Sequence, residues 1–231
     1  MTIKKTIAIA SAKGGVGKST VCSYLATVLS NTSKVGVLDA DIYGPNQDIL
    51  FDINDKNIEL DKKNTKRPYT PKNIDNISIN SLGFLLDRTA AIWRGPMLSS
   101  AINQIYEKTN WGDLDYLLID MPPGTGDAYL TVCQKIIPDY VILVTTLSKL
   151  SIADLQRSER VFESLNTEIL GIVLNNIHQS DELGSFDLES ENLILDRVEF
   201  NEKFIDSVYP FDDLELDTVF LNTIRAIKEH E

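Results

Sequence analysis

Apolar residues in this chain gather in short dense runs, separated by stretches in which they recur every three or four positions. The runs KTIAIASA (5–12), KVGVLDA (34–40), LDYLLIDM (114–121), YVILVTT (140–146) and EILGIVLNN (168–176) are near-continuous. That is the pattern of strands covered on both faces. NISINSL (76–82) reads as a further strand. Helical spacing fills the gaps at Ser19 to Leu29, at MLSSAINQIYEK (97–108) and at Ile152 to Leu165. The second of these is entered through Gly95-Pro96, with proline where a helix begins. A last helix near Leu216 to Glu229 is expected to pack on the sheet. Strands alternating with helices predict an α/β fold in three layers, with a mostly parallel central sheet and helices on both faces. Ligands of such folds sit at the carboxyl ends of the strands. The segment 52–75, rich in Asn, Asp, Lys and Pro, reads as a long surface excursion, and the acidic stretch 178–207 fits no element clearly.

Composition narrows the classes. The chain has 231 residues, enough for one α/β domain spanning 1–231. Against 34 acidic residues stand 22 Lys and Arg, a net charge of -12. With no basic run, that balance disfavours nucleic acid and anionic membrane as partners. No stretch is long enough to span a bilayer, and the first apolar run ends in glycines rather than a cleavage site, so a cytoplasmic location is expected. Two cysteines make no disulfide framework.

The chemistry starts at SAKGGVGKST (11–20), between a strand and a helix. Successive glycines there let backbone N–H groups point into one concavity that fits phosphate oxygens, and the helix end adds partial positive charge. Lys18 is placed to reach the β and γ phosphates and the Ser19 hydroxyl to hold Mg²⁺. A tight strand–helix turn without a ligand would explain the glycines but not Lys-Ser after them. The strand LLIDMPPG closes on Asp120, placed to bind Mg²⁺ through water, and PPGTGD (122–127) suits a segment that senses the γ-phosphate. LDADIYGPN (38–46) carries Asp39 and Asp41. They are expected to point in opposite directions and to do different jobs. One would orient water or support Mg²⁺ and the other would fix the turn; ordinary loop acids are the alternative.

These residues resemble a known family. KGGVGKST, with a lysine at position 13 ahead of the usual one, is similar to the deviant Walker A motif of the ParA/MinD/NifH ATPases. LDADIYGPN, WRGPM (93–97) and DYLLIDMPPGTGDAYLT (115–131) resemble the Mrp/ApbC branch, the iron–sulfur cluster carrier ATPases, and the likeness is dense from residue 5 to about 176. The resemblance implies a P-loop NTPase fold that binds ATP·Mg²⁺ on Lys13, Gly14, Gly15, Val16, Gly17, Lys18, Ser19 and Thr20, with Mg²⁺ at Ser19 and Asp120. It implies slow ATP hydrolysis by a homodimer that sandwiches two nucleotides, with Asn175 against the adenine. Lys13 would cross to the partner's nucleotide as an arginine finger does, and Lys18 would serve its own. Lys13, Lys18 and Asp41 are therefore the expected catalytic residues, Asp41 being the first choice to orient the water.

The chain also departs from that family. Its Mrp-type members have a C-x-x-C pair shortly after the adenine asparagine, and two subunits pool four thiolates on one cluster. Here the corresponding region reads NIHQSDELGSFDLES, with no cysteine, and His178 is no substitute. Cys22 shares a helical face with Leu25, Ala26 and Leu29, and Cys133 with Leu130 and Ile137, so both read as small core residues. No iron–sulfur ligand is expected. Glu199 stands where the family usually has proline, and the part after about 177 is divergent. The resemblance implies that Arg94 lies near the dimer or target surface; a structural salt bridge is the alternative. The helix at 216–229 has Arg225 and Lys228 against Asp217, Glu229 and Glu231, the make-up of a docked helix rather than a membrane anchor. Three functions follow as expectations: an iron–sulfur assembly factor acting on client apoproteins or with a cysteine-bearing relative, an ATP-gated scaffold with negligible turnover, or a positioning ATPase of the ParA/MinD type.

Overall fold

The computed structural model describes residues 1–55, 57–85, 95–176, 190, 192–204, 207–211 and 214–230. β1 (Ile3–Ala10) leads through the glycine loop into α1 (Lys18–Ser30), followed by β2 (Val35–Asp39) and the single turn α2 (Gln47–Leu50). Short strands β3 (Glu59–Leu60), β4 (Tyr69–Thr70) and β5 (Lys72–Ile74) precede β6 (Ile77–Ser81), α3 (Leu82–Leu85) and α4 (Gly95–Lys108). Next come β7 (Leu114–Asp120), α5 (Asp127–Ile136), β8 (Tyr140–Thr145), α6 (Lys149–Ser164) and β9 (Glu168–Asn175). The last elements are β10 (Ile194–Val198), α7 (Leu216–Val219) and α8 (Leu221–Glu229).

The main sheet has eight strands in the order β10-β9-β8-β1-β7-β2-β6-β5. Every pairing is parallel except that of β5 with β6. Alternation along the central strands builds two cores. Ile7 and Ile9 of β1 face one side, with Val35, Val37, Ile77, Leu118, Ile142 and the buried residues of α1, α7 and α8. Ala8 and Ala10 face the other, with Leu117, Ile119, Val141, Leu143 and the buried residues of α4, α5 and α6. Both faces of each strand are thus covered, which is why the runs read as continuously apolar. Phe162 of α6 is fully buried in the second core, its ring 5.6 Å from that of Tyr129. Phe162→Ala is expected to destabilise the protein by about 3–5 kcal/mol, read from chemical denaturation.

Four readings of the sequence need correction. The excursion at 52–75 is not all surface: Lys72–Ile74 returns as an antiparallel edge strand on β6, turning at Asp75 with φ 49°, and Ile53 is buried. The stretch 178–207 contains β10, which pairs with β9. The helix expected to start at Ile152 starts at Lys149, because Ser148 caps it by accepting from the Ser151 N–H, while Leu150 lies exposed and gave no apolar periodicity. Ile137 does not share the Cys133 face, since it ends α5 in the left-handed region (φ 51°) and is 71% exposed. The C-terminal helix docks as expected: Ile227 and Thr223 are buried, and the Thr223 N–H and hydroxyl donate to Asp196 at 2.7 and 2.6 Å.

Candidate functional site: a glycine loop beside three buried aspartates

The parallel register brings the chemistry to one row. Ile9 of β1 and Asp39 of β2 both align with Asp120 of β7, so three neighbouring strands end at one level. The strand ends are laced together, with the Met121 N–H donating to Ile9 C=O and the Ala40 N–H to Asp120 C=O. From this platform the loop 11–17 rises into α1. The Ser11 hydroxyl holds the Lys13 carbonyl at 2.9 Å, and the Gly124 N–H from the loop after β7 donates to Ser11 C=O. Gly17 caps α1 in the left-handed region (φ 88°, ψ 17°), and no side chain caps the helix. Its first N–H groups therefore keep their donor capacity, which with the helix dipole suits an anion.

A side chain at Gly17 would be strained. A Cβ there would run into Asn175 Nδ2, and φ 88° is a conformation that L residues avoid. Gly17→Ala is expected to weaken nucleotide binding about tenfold or more, measurable by calorimetry, because strain falls on the loop and on Asn175 together.

Lys18 lies at the start of α1 and is buried, with its ammonium 2.6 Å from Asp120 Oδ1 and 3.5 Å from the Ser19 hydroxyl. Burial works against its charge, yet the Asp120 carboxylate and the more distant Asp41 and Asp39 hold its pKa above the usual lysine value. Asp120 is fully buried, and its other oxygen accepts from Gln47 Nε2 at 2.8 Å. Gln47 was not a candidate from the sequence. It has no motif signal, only its place eight residues after Asp39, and it is fully buried, donating also to the Ser19 carbonyl at 3.0 Å.

Residues two apart on a strand share a face, so opposite directions for Asp39 and Asp41 do not follow from β2; their partners separate them instead. Asp39 is fully buried; its Oδ2 accepts from the N–H groups of Asn46 and Gln47 and from the Ser81 hydroxyl, and its Oδ1 from the Asp41 N–H. It therefore fixes the loop 40–47 against β6. Burial and the Asp120 carboxylate push its pKa up to about 8, against the pull of those donors. Asp41 lies beyond the end of β2 and accepts from the Tyr43 and Gly44 N–H groups at 3.0 and 3.2 Å. Burial raises its pKa, opposed first by the Lys18 charge.

Lys13 is half-buried and donates to the Ser151 hydroxyl at the start of α6, a long contact of 3.4 Å. Asn175 Nδ2 donates to the Val16 carbonyl at 2.9 Å, tying the end of β9 to the loop. A cavity of about 130 Å³ opens beside Gly17, walled by Thr20, Tyr24, Asn175, Glu199 and Phe204. Gly14 and Gly15 complete the loop, where a side chain on Gly14 would only touch Pro123.

Mg²⁺ fits this donor set. It keeps several waters and takes one or two protein ligands plus phosphate oxygens rather than an all-protein cage. The Ser19 hydroxyl, and Asp120 through water, would supply that kind of partial shell, and the buried Gln47 Oε1 has no hydrogen-bond partner in the structure. Among the described residues no group of three or more His, Cys, Asp and Glu side chains converges on a metal position. Cys22 and Cys133 are both buried, on opposite faces of the sheet. Burial pushes the Cys133 thiol up to about 12 and raises Cys22 well above the ordinary thiol value, so neither is readily a thiolate. His178 and Arg94 lie outside the described residues. No helix among the described residues is long and apolar enough to cross a membrane.

A parallel sheet whose first strand runs through an uncapped glycine loop onto a buried Lys-Ser pair, facing a carboxylate at the end of a neighbouring strand, defines a P-loop NTPase. The model of the NUBPL iron-transfer P-loop NTPase family matches residues 2–183, and the chain belongs to that family. It is 42% identical over 175 residues to an iron-sulfur cluster carrier protein of Pseudomonas fragi, a match covering 75% of this chain and 60% of that protein. With the iron-sulfur cluster carrier protein of Rickettsia felis the identity is 47% over 174 residues, covering 75% of this chain and 54% of the relative. The chain thus matches only about half to three-fifths of the length of these relatives. Among solved structures it resembles a nucleotide-binding protein from Archaeoglobus fulgidus in complex with ADP (TM-score 0.71, 28% identity, 99% of this chain and 89% of that one). The cell division ATPase MinD of Pyrococcus furiosus shares the fold at 19% identity, with a TM-score of 0.71 over 99% of this chain and all of that one.

Proposed function

We propose that this protein binds ATP with Mg²⁺, hydrolyses it slowly, and works as a nucleotide-switched homodimer in iron–sulfur cluster assembly or transfer to apoproteins. The observation that carries the reading is the buried Lys18–Asp120 pair at the uncapped start of α1. A buried ammonium needs an anionic partner, and here it sits where phosphates would compete with Asp120 for it. In this reading Lys18 turns to the β and γ oxygens, the N–H groups of residues 14 to 19 cradle them, and the base lies beside Asn175. Mg²⁺, held by Ser19 and by Asp120 through water, would neutralise charge on the phosphates when bound. Asp41 orients the attacking water, and Lys13 leaves Ser151 to reach the nucleotide of a second copy. The iron–sulfur setting is supported by the family and by the names of its relatives. The burial of Cys22 and Cys133 supports a role in which they are not cluster ligands; the client is then an apoprotein or a cysteine-bearing relative.

Calorimetric titration with ATP and with ADP, with and without millimolar magnesium, tests the core of this reading. Binding that tightens with metal supports it, and no heat with either nucleotide overturns it. Anaerobic reconstitution with iron and sulfide tests the thiols: stoichiometric iron bound to the purified chain would overturn their assignment to the core.

A further inference from the structure

Gln47 is a buried amide that touches both Asp120 at the end of β7 and the first turn of α1. Its Nε2 donates to Asp120 Oδ2 at 2.8 Å and to the Ser19 carbonyl at 3.0 Å, both acceptors, so the assignment of nitrogen and oxygen is fixed by its partners. Its own backbone N–H donates to Asp39 at 3.2 Å. The side-chain oxygen Oε1 is buried with no hydrogen-bond partner. An unpaired buried carbonyl costs about 1–3 kcal/mol, so its retention needs a reason. Oε1 and Nε2 share one carbon, so this acceptor lies within one water's reach of the Asp120 carboxylate.

We infer that Gln47 is a positioning residue for the cation of the nucleotide site, its Nε2 orienting Asp120 and its Oε1 accepting a hydrogen bond from a water on the metal. This rests on the nucleotide reading above and adds a residue to it. Because the Gln47 N–H is held by Asp39, whose other oxygen holds the Asp41 N–H, the same residue ties the metal carboxylate to the loop that carries Asp41.

The test titrates Mg²⁺ into ADP and wild-type protein, or the variants Gln47→Leu and Gln47→Glu, following ADP affinity from an EDTA baseline by calorimetry. Outer-shell partners of a metal are worth about 10–100-fold in metal affinity. Gln47→Leu keeps the bulk and loses both polar contacts. Its Mg²⁺ midpoint is expected to rise by about tenfold or more, with ADP affinity in EDTA within about threefold of wild type. Gln47→Glu adds a carboxylate beside Asp120, so its midpoint should fall while ADP binding in EDTA weakens. Opposite shifts are the signature, because a merely structural role would move both variants the same way. A Leu variant with a wild-type midpoint overturns the role of Gln47 alone, and a wild-type protein whose ADP affinity ignores Mg²⁺ overturns the nucleotide–metal reading with it. If circular dichroism shows the Leu variant unfolded, the Glu variant decides, and an unchanged or raised midpoint overturns the proposal.

Discussion

Lys18→Ala is expected to lower affinity for Mg²⁺·ATP by about 100-fold and to reduce phosphate release to background. A hydrogen bond to a charged group contributes about 1.5–3 kcal/mol, and each 1.4 kcal/mol is a factor of ten. The Lys18 ammonium is the only cation that contacts Asp120 among the described residues, so removing it does two things. It deletes the charge that would bind phosphate, and it leaves a fully buried carboxylate without its ion-pair partner. Breaking a buried pair from one side costs about 3–5 kcal/mol, so the variant should also unfold at lower denaturant. Calorimetry and denaturation on the same sample separate these effects. If the folded variant binds ATP within threefold of wild type, the loop is not the triphosphate site.

Lys13→Ala should behave differently. Among the described residues its ammonium reaches only a hydroxyl, at 3.4 Å, and from a half-buried position, so stability should change by less than about 0.5 kcal/mol. It rests near the N-terminus of α6, the end of a helix that disfavours a cation, so the contact holds it weakly. If Lys13 acts on the nucleotide of a second copy, turnover should fall by about 10³–10⁵, as for loss of an arginine finger. Affinity of one chain for ATP should stay within about threefold. Phosphate release and sedimentation with ATP check both statements. Unchanged turnover would return Lys13 to the status of an ordinary loop cation.

The strands of the sheet were legible because burial on both faces leaves an unbroken apolar run, as in LLIDM and YVILVT. The loop was legible because a chain that enters a helix through the left-handed region calls for glycine, and Gly17 stands there directly before Lys-Ser. Elements whose stability comes from long-range pairing were not. Lys72–Ile74 is too short for periodicity and is a strand only because β6 offers an edge, and Ile194–Val198 lies in an acidic context that hides its apolar face. Ile137 looked like a core residue by spacing but sits where α5 has already ended. Gln47 escaped because its role is set by where α2 places one amide relative to Asp120, a distance across 73 residues. What separates Asp39 from Asp41, Ser81 as a partner of the one and the Tyr43–Gly44 turn of the other, comes only from the fold.

The two margins of the sheet have a bearing on how copies of this chain can meet. At one margin stands β5, only three residues long; at the other is β10, five residues long, where the Asn222 amide from α8 already occupies the Leu195 carbonyl. Short or plugged borders offer little purchase for lateral growth, so ribbon-like stacking of one molecule onto the next is discouraged. If two copies pair as proposed, they would then join elsewhere than strand to strand, and at the end where the glycine loop opens joining and nucleotide loading could govern each other.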